Sequence, residues 1–203
     1  MAKRSGDFIL RDRMQITLNA AGETDTLYGR LDLSDFTNAI DKKGLAVKEL
    51  YIQVRDPMNV SLTSTNTGIW NPAAGLHAVA TPGAASIEYK LVATTRAYES
   101  LRDVGIGSPD VLYCKEALYT FGSVAAGSGW VNVEVREFPT RDLHPEGYTL
   151  VSDLLIGIAI DEHTSSDERW FDGVIELDIM MIAESVSVTQ KMLTNLLTQA
   201  QDV

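Results

Sequence analysis

Asp161, Glu162, Asp167 and Glu168 crowd one polar stretch, and clustered carboxylates are the raw material of a hard-cation site. Their spacing does not follow that of a calcium-binding loop, so they read as the solvated tip of a hairpin. His77, His144 and His163 are scattered, whereas a transition-metal site needs several ligands converging from close positions. The glycine-rich stretch Gly122 to Gly129 lacks a Gly-Lys-Ser/Thr ending and precedes a strand pattern rather than a helix, which argues against a phosphate-binding loop. Cys114 lies within an apolar strand pattern and reads as a small buried hydrophobe, not a nucleophile. No serine stands in a nucleophile-elbow pattern. The sequence therefore predicts no catalytic residue, no metal, no cofactor and no enzyme.

Three aromatic residues remain: Trp70, Tyr98 and Trp170, all in or beside segments without periodicity. Exposed rings stack on sugars or anchor protein interfaces; rings at the end of a sandwich more often cap its core. Trp70 and Trp170 are therefore kept as candidate subunit-interface residues.

The elements that would carry these residues are strands. Ile175, Leu177 and Ile179 alternate with Glu176 and Asp178, so residues 174–183 predict a half-buried strand. Residues 150–160 are apolar on both faces, as in a central strand, and with 174–183 they read as a long hairpin. Phe8, Leu10, Met14, Ile16 and Leu18 define an amphipathic strand with Asp12 as its one exception on the apolar side. Leu50, Ile52 and Val54 mark another, as do Ile87, Tyr89 and Leu91, residues 111–121, and Val131, Val133 and Val135. Residues 34–40 suggest a short helix stopped at Gly44, and residues 64–85 a long excursion.

The C-terminal segment, residues 187–201, has a different period. Val188, Met192, Leu193, Leu196, Leu197 and Ala200 recur at helical spacing, and Ser187 with Gln190 fits a capping box. This predicts a short amphipathic helix whose apolar side, including Met192, Leu193, Leu196 and Leu197, packs on its own sandwich or on a neighbouring subunit.

The 203 residues suit a single domain of residues 1–203, with residues 1–6 as a mobile leader. A formal net charge of −11 argues against direct or sequence-specific nucleic-acid binding, which needs Lys and Arg against phosphate. A lone cysteine excludes an intrachain disulfide, and no apolar run is long enough to cross a bilayer as a helix. The predicted fold is all-β: a single jelly-roll β-sandwich of about eight strands with a short C-terminal helix.

The strand Tyr28-Gly29-Arg30-Leu31-Asp32-Leu33 and the apolar strands within Leu150 to Ala183 fit a layout of leader, amphipathic strand, decorated connections and terminal helix. That layout resembles the single jelly-roll major capsid proteins of icosahedral, tailless, membrane-containing double-stranded DNA viruses. The resemblance implies a coat protein that self-assembles into an icosahedral shell. It also implies capsomers made of copies of itself, alongside a second capsid protein and an inner membrane or membrane protein. The implied location is the virion, with assembly in the host cytoplasm. The competing reading is a carbohydrate-binding β-sandwich module using Trp70, Tyr98 or Trp170 as its platform.

Overall fold

The computed structural model describes residues 6–20, 24–38, 40–57, 70, 83–108, 110–125, 128–138, 148–162, 172–192 and 194. Nine strands occur among them: β1 (Phe8–Thr17), β2 (Thr24–Leu31), β3 (Lys43–Arg55), β4 (Gly83–Thr94), β5 (Val111–Ala125), β6 (Ser128–Phe138), β7 (Tyr148–Leu150), β8 (Leu154–Glu162) and β9 (Val174–Ser187). They form two antiparallel sheets. The four-stranded sheet has the order β1-β9-β3-β7 and the five-stranded sheet the order β2-β8-β4-β5-β6.

The order has a simple logic. β1 pairs with β9, β2 with β8, β3 with β7 and β4 with β5. The chain is thus a long hairpin folded at the β4–β5 end and rolled up, closed by the β3–β9 and β4–β8 pairings. With β6 set aside, that is the jelly roll of two Greek keys. β6 is an addition: it continues the β4–β5 hairpin by one strand and extends the five-stranded sheet past its four-stranded partner.

Alternation decides what each strand buries. Ile175, Leu177, Ile179, Met181 and Ala183 of β9 face Leu154, Ile156, Ile158 and Ile160 of β8 within one core, which also holds Leu45, Leu50, Ile87 and Leu91. The expected hairpin of residues 150–160 with 174–183 is therefore corrected. The chain breaks at residues 151–153, so Leu150 closes β7 in one sheet while Leu154 opens β8 in the other. Asp153 marks the break: its carboxylate accepts the Leu33 N–H at 2.9 Å and pairs with Arg30. Apolar periodicity reports which residues are covered, not which sheet covers them.

The apolar outer face of β8 is explained by a second, smaller core. The connection between β4 and β5 folds back over the five-stranded sheet, and a 3-10 turn at Leu101–Asp103 presses Leu101 and Val104 onto Val92 and Cys114. The Leu101 N–H donates to Thr26 Oγ1 at 2.9 Å and the Tyr98 N–H to the Tyr28 hydroxyl at 2.9 Å, which fasten this flap to β2. Tyr28 lies across Gly157, where an added Cβ would come within 2.6 Å of the ring. Glycine is required there because the ring occupies the space that a side chain would fill.

Three further expectations change. At residues 34–38 the expected helix of residues 34–40 is replaced by a turn and a bridge: the Phe36 and Thr37 N–H groups donate to the Leu33 carbonyl, and Asn38 bridges to Lys43, while Ala39 lies outside the described residues. Gly44 is a strand residue within β3, and the left-handed position is Lys42 (φ 54°). At the C-terminus Ser187 still belongs to β9, and helical geometry is described only at residues 190–192 and 194. Its cap is Thr189, whose Oγ1 accepts the Met192 N–H at 3.2 Å. Val188 is buried and donates its N–H to the Lys42 carbonyl, so the segment leaves the sandwich from a fixed point.

Candidate interaction surface

Among the described residues, Trp70, Tyr98 and Cys114 serve packing. Trp70 is 7% exposed and packs edge-to-face on Tyr89 with ring centroids 5.0 Å apart, so it serves the core. Tyr98 is half-buried beneath the Arg96 guanidinium, 5.1 Å from its ring centroid. Neither presents an open ring face for a sugar. Met192 is 40% exposed, whereas Trp170, Leu193, Leu196 and Leu197 lie outside the described residues. Cys114 is buried, and burial pushes its thiol up from the ordinary range, which disfavours the reactive thiolate.

The acidic stretch is only partly visible. Asp161 pairs with Arg102 at 3.0 Å, while Asp167 and Glu168 lie outside the described residues, as do His77, His144 and His163. Among the described residues no three His, Cys, Asp or Glu side chains are placed to hold a metal ion. Gly122 to Gly129, whose glycine content reads as a flexible loop, is mostly strand: β5 runs through Ala125 and β6 starts at Ser128.

A cavity of about 1240 Å³ opens between the sheets. Leu50, Ile52 and Val54 line it together with Tyr89, Tyr119 and Lys115. The Tyr113 hydroxyl donates to Glu137 Oε1 at 3.0 Å, and burial pushes the Tyr113 and Tyr89 phenols up, so both stay protonated hydrogen-bonding groups. Neutral phenols can bind or pack, and Lys115 and Glu137 add charged groups to the same lining.

The outward face of the four-stranded sheet carries an ion-pair ladder. Arg13 donates to both Asp178 oxygens at 2.5 and 3.1 Å, and Arg55 lies 3.4 Å from both Glu176 and Asp178. The register sets this ladder, since Arg13 stands opposite Asp178 and Arg55 opposite Glu176. The hydrogen bonds from Arg13 hold the Asp178 carboxyl below its ordinary range. A carboxyl whose value falls on folding adds stability above its unfolded value, about 3.9, and that stability is lost as pH falls through the folded value. Arg13 is 52% exposed, so solvent weakens the pair. Asp178→Asn is expected to lower stability modestly at neutral pH and less near pH 2, because the carboxyl gains its proton as pH falls. Urea denaturation at the two pH values checks this; an equal loss at both would mean that the ion pair adds nothing.

The unusual surface is β6. Trp130, Val131, Val133, Val135 and Phe138 are 46–50% exposed, which makes one strand the main site of large exposed apolar side chains among the described residues. Val131, Val133 and Val135 stand opposite Phe121, Tyr119 and Ala117 of β5, and so belong to the face that elsewhere forms the core. They stay exposed because β7 covers only Leu45–Val47 of β3, and the four-stranded sheet does not reach out over β6. On the other face Trp130 lies over Gly122, at 2.4 Å from where a Cβ would sit, and Arg136 pairs with Glu134 at 2.5 Å. The valine alternation was visible in the sequence. That its face has no cover was not, because alternation tells which residues share a face and nothing about what lies across from it.

No family model and no curated protein sequence matches the chain. Among solved structures it is similar to a chain in turnip yellow mosaic virus, at 7% identity over 92% of this chain and 99% of that one, with a TM-score of 0.31. It is also similar to a chain of desmodium yellow mottle tymovirus, at 10% identity over 91% and 92% of the two chains, with a TM-score of 0.32. A looser similarity links it to an Acinetobacter baumannii phage AM24 tailspike protein, at 10% identity over 84% of this chain and 27% of that chain, with a TM-score of 0.16.

Proposed function

We propose that this chain is a viral coat protein whose jelly roll is the repeating unit of an icosahedral shell. The observation that carries the reading is the combination of a complete jelly-roll pairing scheme with an added edge strand whose apolar side chains lie open. Exposed apolar surface of this kind marks an association site. Among the described residues, Trp70, Tyr98, Cys114 and Asp161 are occupied in packing and ion pairs, which suits a structural role. The acidic balance of −11 suits a shell that does not touch its genome directly, as in capsids that line a membrane. The finer assignment is a major capsid protein of a tailless, membrane-containing double-stranded DNA virus, forming capsomers of its own copies beside a second capsid protein. Met192, at the exposed start of the C-terminal segment, together with Leu193, Leu196 and Leu197, is proposed as a further subunit contact.

Size-exclusion chromatography followed by negative-stain microscopy tests the reading. Uniform rings, capsomers or shells are the expected result. A chain that stays monomeric at every concentration and salt condition would overturn it.

A further inference from the structure

β6 carries a feature that exposure alone does not require: it is complementary to itself. The strand is Ser128–Phe138, 11 residues, with Val133 at its midpoint. Its outer edge pairs with no strand among the described residues, and its backbone donors and acceptors on that side are a template for another strand. Suppose that a second copy pairs antiparallel with it about a two-fold axis at Val133, perpendicular to the sheet. Every residue of the strand then has a partner, because Ser128 meets Phe138 of the copy and the overlap is complete.

The side chains agree with that register on both faces. On the inner face Val133 meets its own copy and Val131 meets Val135, so the three exposed valines of each subunit close on three valines of the other. On the outer face Trp130 meets Arg136, an aromatic ring beside a guanidinium, and Asn132 meets Glu134, an amide beside a carboxylate. No like charges face each other. Neighbouring registers lack this match. Centring on Glu134 sets that carboxylate against its own copy, and centring on Asn132 leaves Val135 opposite Gly129. A two-fold contact uses the same patch on both subunits, as this one does.

We infer that β6 is the site of an isologous homodimer, in which the five-stranded sheets of two copies join edge to edge in the register centred on Val133. The occupant is a second copy of this chain, since a patch complementary to itself needs no other partner. The dimer stands apart from the coat reading, because it forms whether or not a shell is built from it.

Cysteine crosslinking in the full-length chain reads the register directly, with buried Cys114 as the background thiol. Paired residues across two strands lie about 5 Å apart, whereas Val131 and its own copy would be about 13 Å apart in this register. After mild oxidation and denaturing electrophoresis, Val133→Cys is expected to give a covalent dimer. Val131→Cys and Val135→Cys should each remain monomeric alone and crosslink when mixed. Asn132→Cys mixed with Glu134→Cys samples the alternate class of strand pair, so unfavourable disulfide geometry in one class does not silence the test. Val133→Lys, which sets two ammonium groups face to face, should abolish the Asn132–Glu134 crosslink while circular dichroism remains that of a folded sandwich. Absence of every crosslink, or a Val131→Cys homodimer, overturns the proposal. Shells without these crosslinks would remove the dimer and leave the coat reading; crosslinks without shells would do the reverse.

Discussion

Ile158→Ala is expected to destabilise the protein by about 3–4 kcal/mol, enough to remove a large share of the stability of a typical domain. Ile158 has no exposed surface and stands in β8, the strand held between β2 and β4, where it pairs with Leu27 and Leu91. Both neighbours are fixed in ladders, so the backbone has little freedom to collapse into the space that truncation leaves. Lost transfer energy and a persistent cavity therefore add. Leu155 is the internal control. It sits on the other face of the same strand and is only half-buried, so Leu155→Ala should cost less than half as much. Urea unfolding monitored by circular dichroism gives both values. Equal losses for the two variants would mean that the facing of β8 is misassigned.

Gly157→Ala should cost about 2–3 kcal/mol although it adds a single methyl group, a large figure for overpacking. The new Cβ would lie 2.6 Å from Tyr28 Cε1 and 3.0 Å from Val92 Cγ2. Tyr28 is not free to swing aside, because its hydroxyl accepts the Tyr98 N–H at 2.9 Å and so holds the flap over the second core. Relief of the clash would break that bond or lift Leu101 and Val104 from Val92 and Cys114. A double-mutant cycle isolates the cause. In a Tyr28→Ala background the Gly157→Ala change should cost much less, since only the 3.0 Å approach to Val92 Cγ2 is left once the ring is gone. A penalty of the same size in both backgrounds would place the strain elsewhere.

These two positions also show what the sequence could and could not reveal. Ile158 was legible as core, because an apolar residue in an apolar run has few other places to go. The strands themselves were legible for the same reason: Leu50, Ile52 and Val54 announce their shared face by period. Gly157 was not legible, since the ring that demands it arrives from a strand more than 120 residues earlier. The assignment of residues 150–160 to one strand failed on similar ground, because Leu150 and Leu154 are equally apolar and equally buried, in different sheets. At the surface, Trp70 looked like an interface residue from its polar neighbourhood, yet it packs on Tyr89 in the core. Val131, Val133 and Val135 looked like core from their alternation, yet they lie open. Local pattern reports chemistry of a face; coverage depends on how far the opposite sheet extends.

The pairing of β1 with β9 sets a timetable for biosynthesis. Phe8 is the partner of Ala183 and Thr17 the partner of Val174, so β1, which leaves the ribosome before the other described strands, completes its ladder only when β9 has followed. At roughly 5–20 residues per second, that wait is about 8–30 s. During it β3 also lacks its β9 neighbour, and the four-stranded sheet holds only the short β3–β7 pairing. The fold is therefore completed after translation of β9, not strand by strand as the chain emerges. A nascent chain interrupted before residue 174 keeps β1 and β3 edges unpaired and the facing Ile156 and Ile158 uncovered. Prematurely ended products are thus marked for chaperones and proteases by the same surfaces that a finished molecule hides.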